Sequence, residues 1–414
     1  MGQGFSFFEL QKETDANIYE ALDSIKKKWG VPCYIFDVQR ARKNVRELRR
    51  NMGASVKIAY AMKANPWIAK PIMDVSDYIE VCSEGELELC MNYGIPGNRI
   101  VLDGVLKTEG LIKQALGMRI ARWSIDSREQ LERVLSMKKD YEKLNLLLRV
   151  SSGNRFGMDK RELQECVALC KEVCNAEIVG IQYYPGTQRS DFKKVKRELN
   201  MLWEWVEICE RMPGLCLREI EFGAGIGVPY FEGDDMEDYK RALQEVVNFV
   251  RVFSGKYEIT YESGRNIAAS CGAYVTEVFE RKARNEKNVL FCLGGTNHLQ
   301  YHGRVLGIRT PAVKGICRDV SEEMENYMIS GALCSDDDIF ARECRMDKNM
   351  TAGDFVVFYG AGAYCATGSP NLFLAMEMPA ILLYNEQDKT AGSICRLRGC
   401  LPTYRLMSNR VDKI

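Results

Sequence analysis

VKIAYAMKANP, residues 56–66, decides how the rest of the chain is read. An apolar run (56–62) with β-strand composition stops at Lys63, and Asn65 and Pro66 then break it. A lysine directly after a β run sits where an α/β barrel carries its catalytic groups. Its neighbours Met62 and Ala64 predict a desolvated amine, and desolvation lowers an amine's pKa and favours Schiff-base chemistry. Taken alone, the same lysine reads more readily as a solvated strand end, because most lysines are solvated.

Outward from this stretch the pattern repeats. Short apolar runs occur at 78–83 (YIEVCS), 99–104 (RIVLDG), 122–126 (RWSID), 144–150 (LNLLLRV), 177–184 (EIVGIQYY), 219–225 (EIEFGAG) and 258–264 (EITYESG). Amphipathic helical stretches such as 128–143 and 161–174 lie between most of them. Eight strands alternating with helices predict an α/β protein with a (β/α)8 TIM-type barrel over 39–272. After that the texture changes to runs such as NVLFCLGG, DFVVFYGAGAY and AILLYN, with few long helical patterns. Residues 273–414 therefore read as a mostly β domain, joined by 1–38 through the strand-like VPCYIFD (31–37).

Composition narrows the function classes. The 414 residues carry 57 basic and 57 acidic side chains, which argues against a nucleic-acid surface or a polybasic membrane patch. No apolar run is long enough to predict a membrane span. Sixteen cysteines without a secretory leader predict free thiols in a reducing, cytoplasmic compartment. Gly2 and Ser6 match the permissive myristoylation pattern, which chance often satisfies. Cys166, Cys170 and Cys174 recur every four residues and read as a buried helix stripe; their spacing fits no standard zinc or iron–sulfur site. The two histidines, His298 and His302, exclude a multi-histidine metal centre and most His-based triads, and no metal is predicted.

Further motifs carry chemistry. FGAGIG (222–227) follows a strand, and its glycines would let backbone N–H groups approach a phosphate. ESGR (262–265) sets a carboxylate and a guanidinium either side of Ser-Gly264. An acid there could keep a pyridine nitrogen protonated, and an arginine could clasp a phosphate. GALCSDDD (331–338) offers a thiol beside acids, and GAGAYCATGSP (360–370) a tyrosine in a Gly-rich loop.

In this order and spacing, from VPCYIFD to AILLYN, the motifs resemble the fold-type III pyridoxal 5'-phosphate (PLP) decarboxylases, the diaminopimelate and ornithine decarboxylase family. The resemblance implies an alanine-racemase-like barrel, PLP as cofactor, an amino-acid-like substrate, and a homodimer with shared active sites. It implies that Lys63 bears the cofactor, that Glu262 meets the pyridine nitrogen, and that Arg265, Tyr364 and Thr187 contact the phosphate. Gly223, Ala224 and Gly225 match the family's glycine triplet with one replacement, and Arg149 matches an arginine near the cofactor. Cys334 matches a cysteine presented across the dimer interface that helps protonate the product carbon.

The departures bear on the substrate. Tyr184 stands where the family has a histidine stacked on the cofactor ring, and Ser335 replaces an acid that grips a distal amine. Asp338 follows closely, and His298 in GGTNHLQYH is a further candidate for the substrate pocket. The ending GSPNLFLAMEMP is similar to the branch that decarboxylates unusual substrates, which can be conjugated or carrier-linked amino acids, so the resemblance implies decarboxylation of an amino acid or an amino-acid conjugate. Racemisation on the same fold would pair the ring nitrogen with arginine, so Glu262 argues against it. A non-catalytic regulatory relative would lack the cofactor lysine, and Lys63 is present.

Overall fold

The computed structural model describes residues 15–139, 142–284, 287–301, 307–321, 323–385 and 394–398. Gly2, Ser6 and His302 lie outside them. The chain divides into a barrel unit, residues 42–228 and 235–267, and a β-rich unit, residues 1–41, 229–234 and 268–414. Sequence pattern does not reveal that 229–234 leaves the barrel. Within the β-rich unit, Tyr230 stacks near Tyr301, with centroids 5.0 Å apart, and Asp234 pairs with Arg309 at 2.8 Å.

In the β-rich unit, β1 (Cys33–Asp37) is the first strand. The barrel strands follow as β2 (Lys57–Ala61), β3 (Tyr78–Val81), β4 (Ile100–Leu102), β5 (Arg122–Ile125), β6 (Leu144–Arg149), β7 (Ala176–Tyr183), β8 (Glu219–Phe222) and β9 (Glu258–Ser263). All are parallel, and β2 pairs with both β3 and β9, so the sheet closes. The expected (β/α)8 barrel is therefore the observed fold. Each strand is almost wholly buried, as parallel strands covered on both faces must be.

Local chemistry starts the surrounding helices. Ser83, Thr108, Ser127, Asp159, Asp191 and Asp235 each accept a hydrogen bond from an N–H of the first turn that follows. Such caps satisfy donors that have no partner within the helix. Helix Lys160–Lys171 buries Cys166 and Cys170, but Cys174 lies beyond its end and is exposed. The predicted cysteine stripe is thus one residue too long, because the helix stops at a tight turn before it. At the N-terminal ends of the strands, Arg122 Nε donates to Glu219 Oε2 at 2.7 Å, and Lys57 pairs with Glu258. That end of a barrel contributes stability rather than catalysis.

The β-rich unit adds β10 (Gly272–Arg284), β11 (Lys287–Cys292), β12 (Val313–Ile316), β13 (Met324–Ser330), β14 (Ile339–Asp347), β15 (Phe355–Tyr359), β16 (Ala380–Tyr384) and β17 (Ile394–Arg398). They form one sheet with β1, which runs antiparallel to β10 and parallel to β16. Helix Asp15–Trp29 packs Ile18 and Leu22 against Val275, Phe355 and Leu382 in the core of this unit. No helix among the described residues is long and apolar enough to cross a membrane.

Candidate active site

The turn after β2 fixes Lys63. Met62–Ala64 forms a single 3₁₀ turn, and the Asn65 side chain accepts from Trp67 N–H to start the next one. Tyr60 Oη donates to the Asn65 carbonyl at 2.9 Å. Gly264 closes the turn from the β9 side: a Cβ there would lie 2.9 Å from the Ala64 Cβ, so no larger residue fits.

Lys63 Nζ meets acids from two other strands. It lies 2.7 Å from Glu80 Oε1 and 3.4 Å from Glu262 Oε1, with Cys82 Sγ at 3.7 Å. The Tyr184 ring covers it at 5.5 Å. Burial disfavours the ammonium, but Glu80 and Glu262 more than offset this, and the Lys63 pKa is held well above that of free lysine. This reverses the expectation of a lowered pKa: the neighbours of Lys63 in sequence are apolar, but its neighbours in space are carboxylates. Burial, and then the facing charge of Glu80, push Glu262 well above the usual carboxylate range. Gln182 Nε2 donates to Glu262 Oε2 at 3.3 Å and orients it.

A second cluster has the chemistry of an anion cradle. Arg265 Nε and Nη2 each approach Thr187 Oγ1 at 3.4 Å. The Gly186–Arg189 and Gly223–Gly227 loops are laced together by Arg189 N–H to the Gly225 carbonyl and Gly227 N–H to the Arg189 carbonyl, each at 3.0 Å. Gly225 has φ +61, and a Cβ on it would fall 1.7 Å from the Gly186 carbonyl oxygen. At Gly223 a Cβ would strike the Tyr184 ring at 2.8 Å. Ala224 is not among the residues with positive φ, so its Cβ is tolerated there. Arg149 is buried, with Asp126 at 3.4 Å and Asp103 at 3.8 Å, and its guanidinium lies over Phe156.

The remaining sequence candidates lie in the β-rich unit. Tyr364 has φ +65 and starts the short helix Cys365–Gly368. Cys334 and Ser335 are exposed on the loop before β14. Asp338 lines a cavity together with Ser335. It is 1% exposed, and its oxygens accept from Thr296 N–H and Leu333 N–H at 2.7 Å and from Thr296 Oγ1 at 2.8 Å. It anchors the loop that displays Cys334. His298 is buried with Nδ1 3.2 Å from Tyr274 Oη; burial lowers its pKa to about 4, so it is neutral. Asn297, which sequence reasoning passed over, has both side-chain amide atoms buried without a hydrogen-bond partner beside a cavity of about 660 Å³.

Glu80, Cys82 and Gln182 were also missed. A detectable signal did exist for Glu80: an acid inside the apolar run YIEVCS, at the C-terminal end of a barrel strand. Among the described residues, Glu80, Cys82 and Asp103 form the one group close enough to hold a metal ion, and the Lys63 ammonium already occupies Glu80.

These residues suit pyridoxal phosphate. A lysine stands between two buried acids, an arginine–threonine pair sits beside a cradle that admits no Cβ at Gly223 or Gly225, and Glu80 Oε2 is buried without a partner. Fold and site together define a PLP-dependent enzyme built on an α/β barrel. Residues 38–269, more than half of the chain, match the family model described as pyridoxal-dependent decarboxylase, pyridoxal binding domain. The chain belongs to this family, whose members are carboxy-lyases, and it removes a carboxylate from an amino-acid substrate.

Named relatives agree. The chain is 25% identical to a diaminopimelate decarboxylase of Aquifex aeolicus, covering 89% of this chain and 90% of the relative. It is 24% identical to the L-glutamyl-[BtrI acyl-carrier protein] decarboxylase of Niallia circulans, over 87% and 90% of the two chains. It is 25% identical to the 2-[(L-alanin-3-ylcarbamoyl)methyl]-2-hydroxybutanedioate decarboxylase of Staphylococcus aureus, over 90% and 98%. Among solved structures, the diaminopimelate decarboxylase of M. jannaschii in complex with L-lysine superposes with a TM-score of 0.79 over 94% of both chains at 21% identity, a likeness of fold.

Proposed function

We propose that this decarboxylase acts on an amino-acid conjugate, free or carrier-linked, at a site centred on Lys63. The observation that carries the reading is the position of Lys63 Nζ, 2.7 Å from Glu80 and 3.4 Å from Glu262 at the C-terminal end of the barrel strands. Bound PLP supplies the electron sink that takes up the electron pair left when the carboxylate departs.

The protein's own groups do the rest. Lys63 Nζ must shed a proton before it can bond to carbon, and Glu80 Oε1 is the nearest acceptor. Glu262, oriented by Gln182, is the group for the pyridine nitrogen; a carboxyl with a raised pKa has a proton to share there. Arg265, Thr187 and the glycine loops hold the phosphate, and Arg149 stands near the cofactor. The Tyr184 ring lies over the Lys63 amine, whose side chain keeps partial exposure. Lys63 Nζ, or Cys334 Sγ offered across a homodimer interface, returns the proton to the product carbon. Tyr364 is the further phosphate-binding candidate that the family resemblance implies. The cytoplasm is the proposed compartment.

The preference for a conjugate rests on Ser335 and Asp338. Serine cannot hold a distal ammonium as an acid does, and the Asp338 carboxylate already accepts hydrogen bonds from Thr296 and Leu333. Two of the named relatives act on substrates that are amide- or carrier-linked. The test is carbon dioxide release from lysine, ornithine and diaminopimelate beside N-acylated and carrier-bound amino acids. Turnover of conjugates well above the free diamino acids supports the reading; the reverse order overturns it.

A further inference from the structure

Glu80 is fully buried; Lys63 and Cys82 both donate to it, and it faces the Glu262 carboxyl. Lys63 Nζ donates to Oε1 at 2.7 Å and Cys82 Sγ to the same oxygen at 3.1 Å, while Oε2 has no partner. The thiol is well placed for this. Cys82 N–H donates to Glu86 Oε2 at 2.6 Å, and Glu86 N–H donates to the Ser83 cap at 3.2 Å. The Cys82 side chain is therefore carried on a fixed strand-to-helix junction. Burial, and then the nearby Glu80 charge, push its pKa up, so it remains an S–H donor.

The arrangement has a consequence once Lys63 is committed to the cofactor. Its nitrogen would then no longer serve Glu80 as an ammonium, and Glu262 would serve the pyridine nitrogen. A buried carboxylate that loses its donors is costly. We infer that Cys82 is a positioning residue for the cofactor lysine: its thiol is the donor that holds Glu80 in place while Lys63 carries PLP. The inference rests on Lys63 being the cofactor-bearing residue. Cys82 acts through Glu80, and so favours the loaded state of the protein over the free-lysine state.

The experiment compares cofactor retention. The wild-type protein and the Cys82→Ala, Cys82→Val and Cys82→Ser variants are loaded with PLP, freed of excess, and followed by cofactor absorbance as PLP dissociates. Valine keeps the bulk of the thiol without its donor, and serine keeps a donor. Loss roughly tenfold faster is expected for alanine and valine, the size of effect when a buried acceptor loses its donor, with serine close to wild type. In a Glu80→Gln background the Cys82→Ala change should add nothing, because the carboxylate it serves is gone. Wild-type retention in both the alanine and valine variants overturns the inference. So does a serine variant as defective as alanine, or an alanine effect undiminished in the Glu80→Gln background. A borohydride-reduced wild-type adduct on a residue other than Lys63 would instead remove the reading beneath it.

Discussion

Lys63 and Glu80 form an ion pair of 2.7 Å between the turn after β2 and the strand β3, and the carboxylate is entirely buried while the lysine side chain keeps 31% exposure. The pair holds the lysine charged in the free protein, so the proton must leave before cofactor attachment. Glu80→Gln removes the larger of the two attractions on the ammonium. The Lys63 pKa should fall, and the pH at which PLP attaches half-maximally should move down. An absorbance titration of PLP uptake against pH checks this; an unmoved midpoint contradicts it.

Glu262 is buried and oriented by Gln182. Glu262→Gln keeps the shape but cannot hold the ring nitrogen protonated. We expect kcat to fall by roughly a hundredfold or more, the scale seen when a preorganised charge-stabilising group is removed. Cofactor content should stay near wild type. Steady-state kinetics with cofactor quantified alongside decides it.

Gly225→Ala places a methyl group 1.7 Å from the Gly186 carbonyl oxygen at a φ of +61. Backbone strain and the clash should cost about 1–3 kcal/mol and loosen the phosphate loop. Thermal melting and PLP affinity should both fall. Ala224→Gly, at an ordinary φ, should leave PLP affinity unchanged.

His298 is 1% exposed, with its pKa lowered by burial to about 4 from 6.5. Between these values the unfolded chain binds a proton that the folded protein refuses. The stability contribution is therefore complete above pH 6.5 and is lost as pH falls toward 4, by about 3 kcal/mol. Denaturant unfolding of wild type and His298→Gln at pH 7 and pH 4.5 reads it. The wild type should lose more stability on acidification than the variant.

Much of the fold is legible in the sequence. All eight barrel strands lie within a residue or a few of the apolar runs that announced them, because buried parallel strands are continuous apolar segments flanked by turn and cap residues. Lys63, Glu262 and Arg265 stood out because each follows or ends a strand. What stayed hidden was set by contacts between strands. Glu80 looks like one acid in an apolar run until β3 brings it under Lys63, and the Lys63 pKa changes direction for the same reason. The hydrogen bonds that Asp338 accepts from Thr296 and Leu333 come from chain folded back upon it, which the sequence does not show. The excursion of 229–234 into the β-rich unit depends on Tyr301 and Arg309, more than sixty residues away in sequence.

The central claim is that Lys63 carries the cofactor. The most direct measurement is borohydride reduction of the PLP-loaded protein, followed by peptide mass mapping of the reduced adduct. The account predicts loss of the visible cofactor band and one modified peptide with the label on Lys63, absent in Lys63→Ala. A reduced adduct on any other lysine, or a protein that takes up no PLP at all, would contradict it.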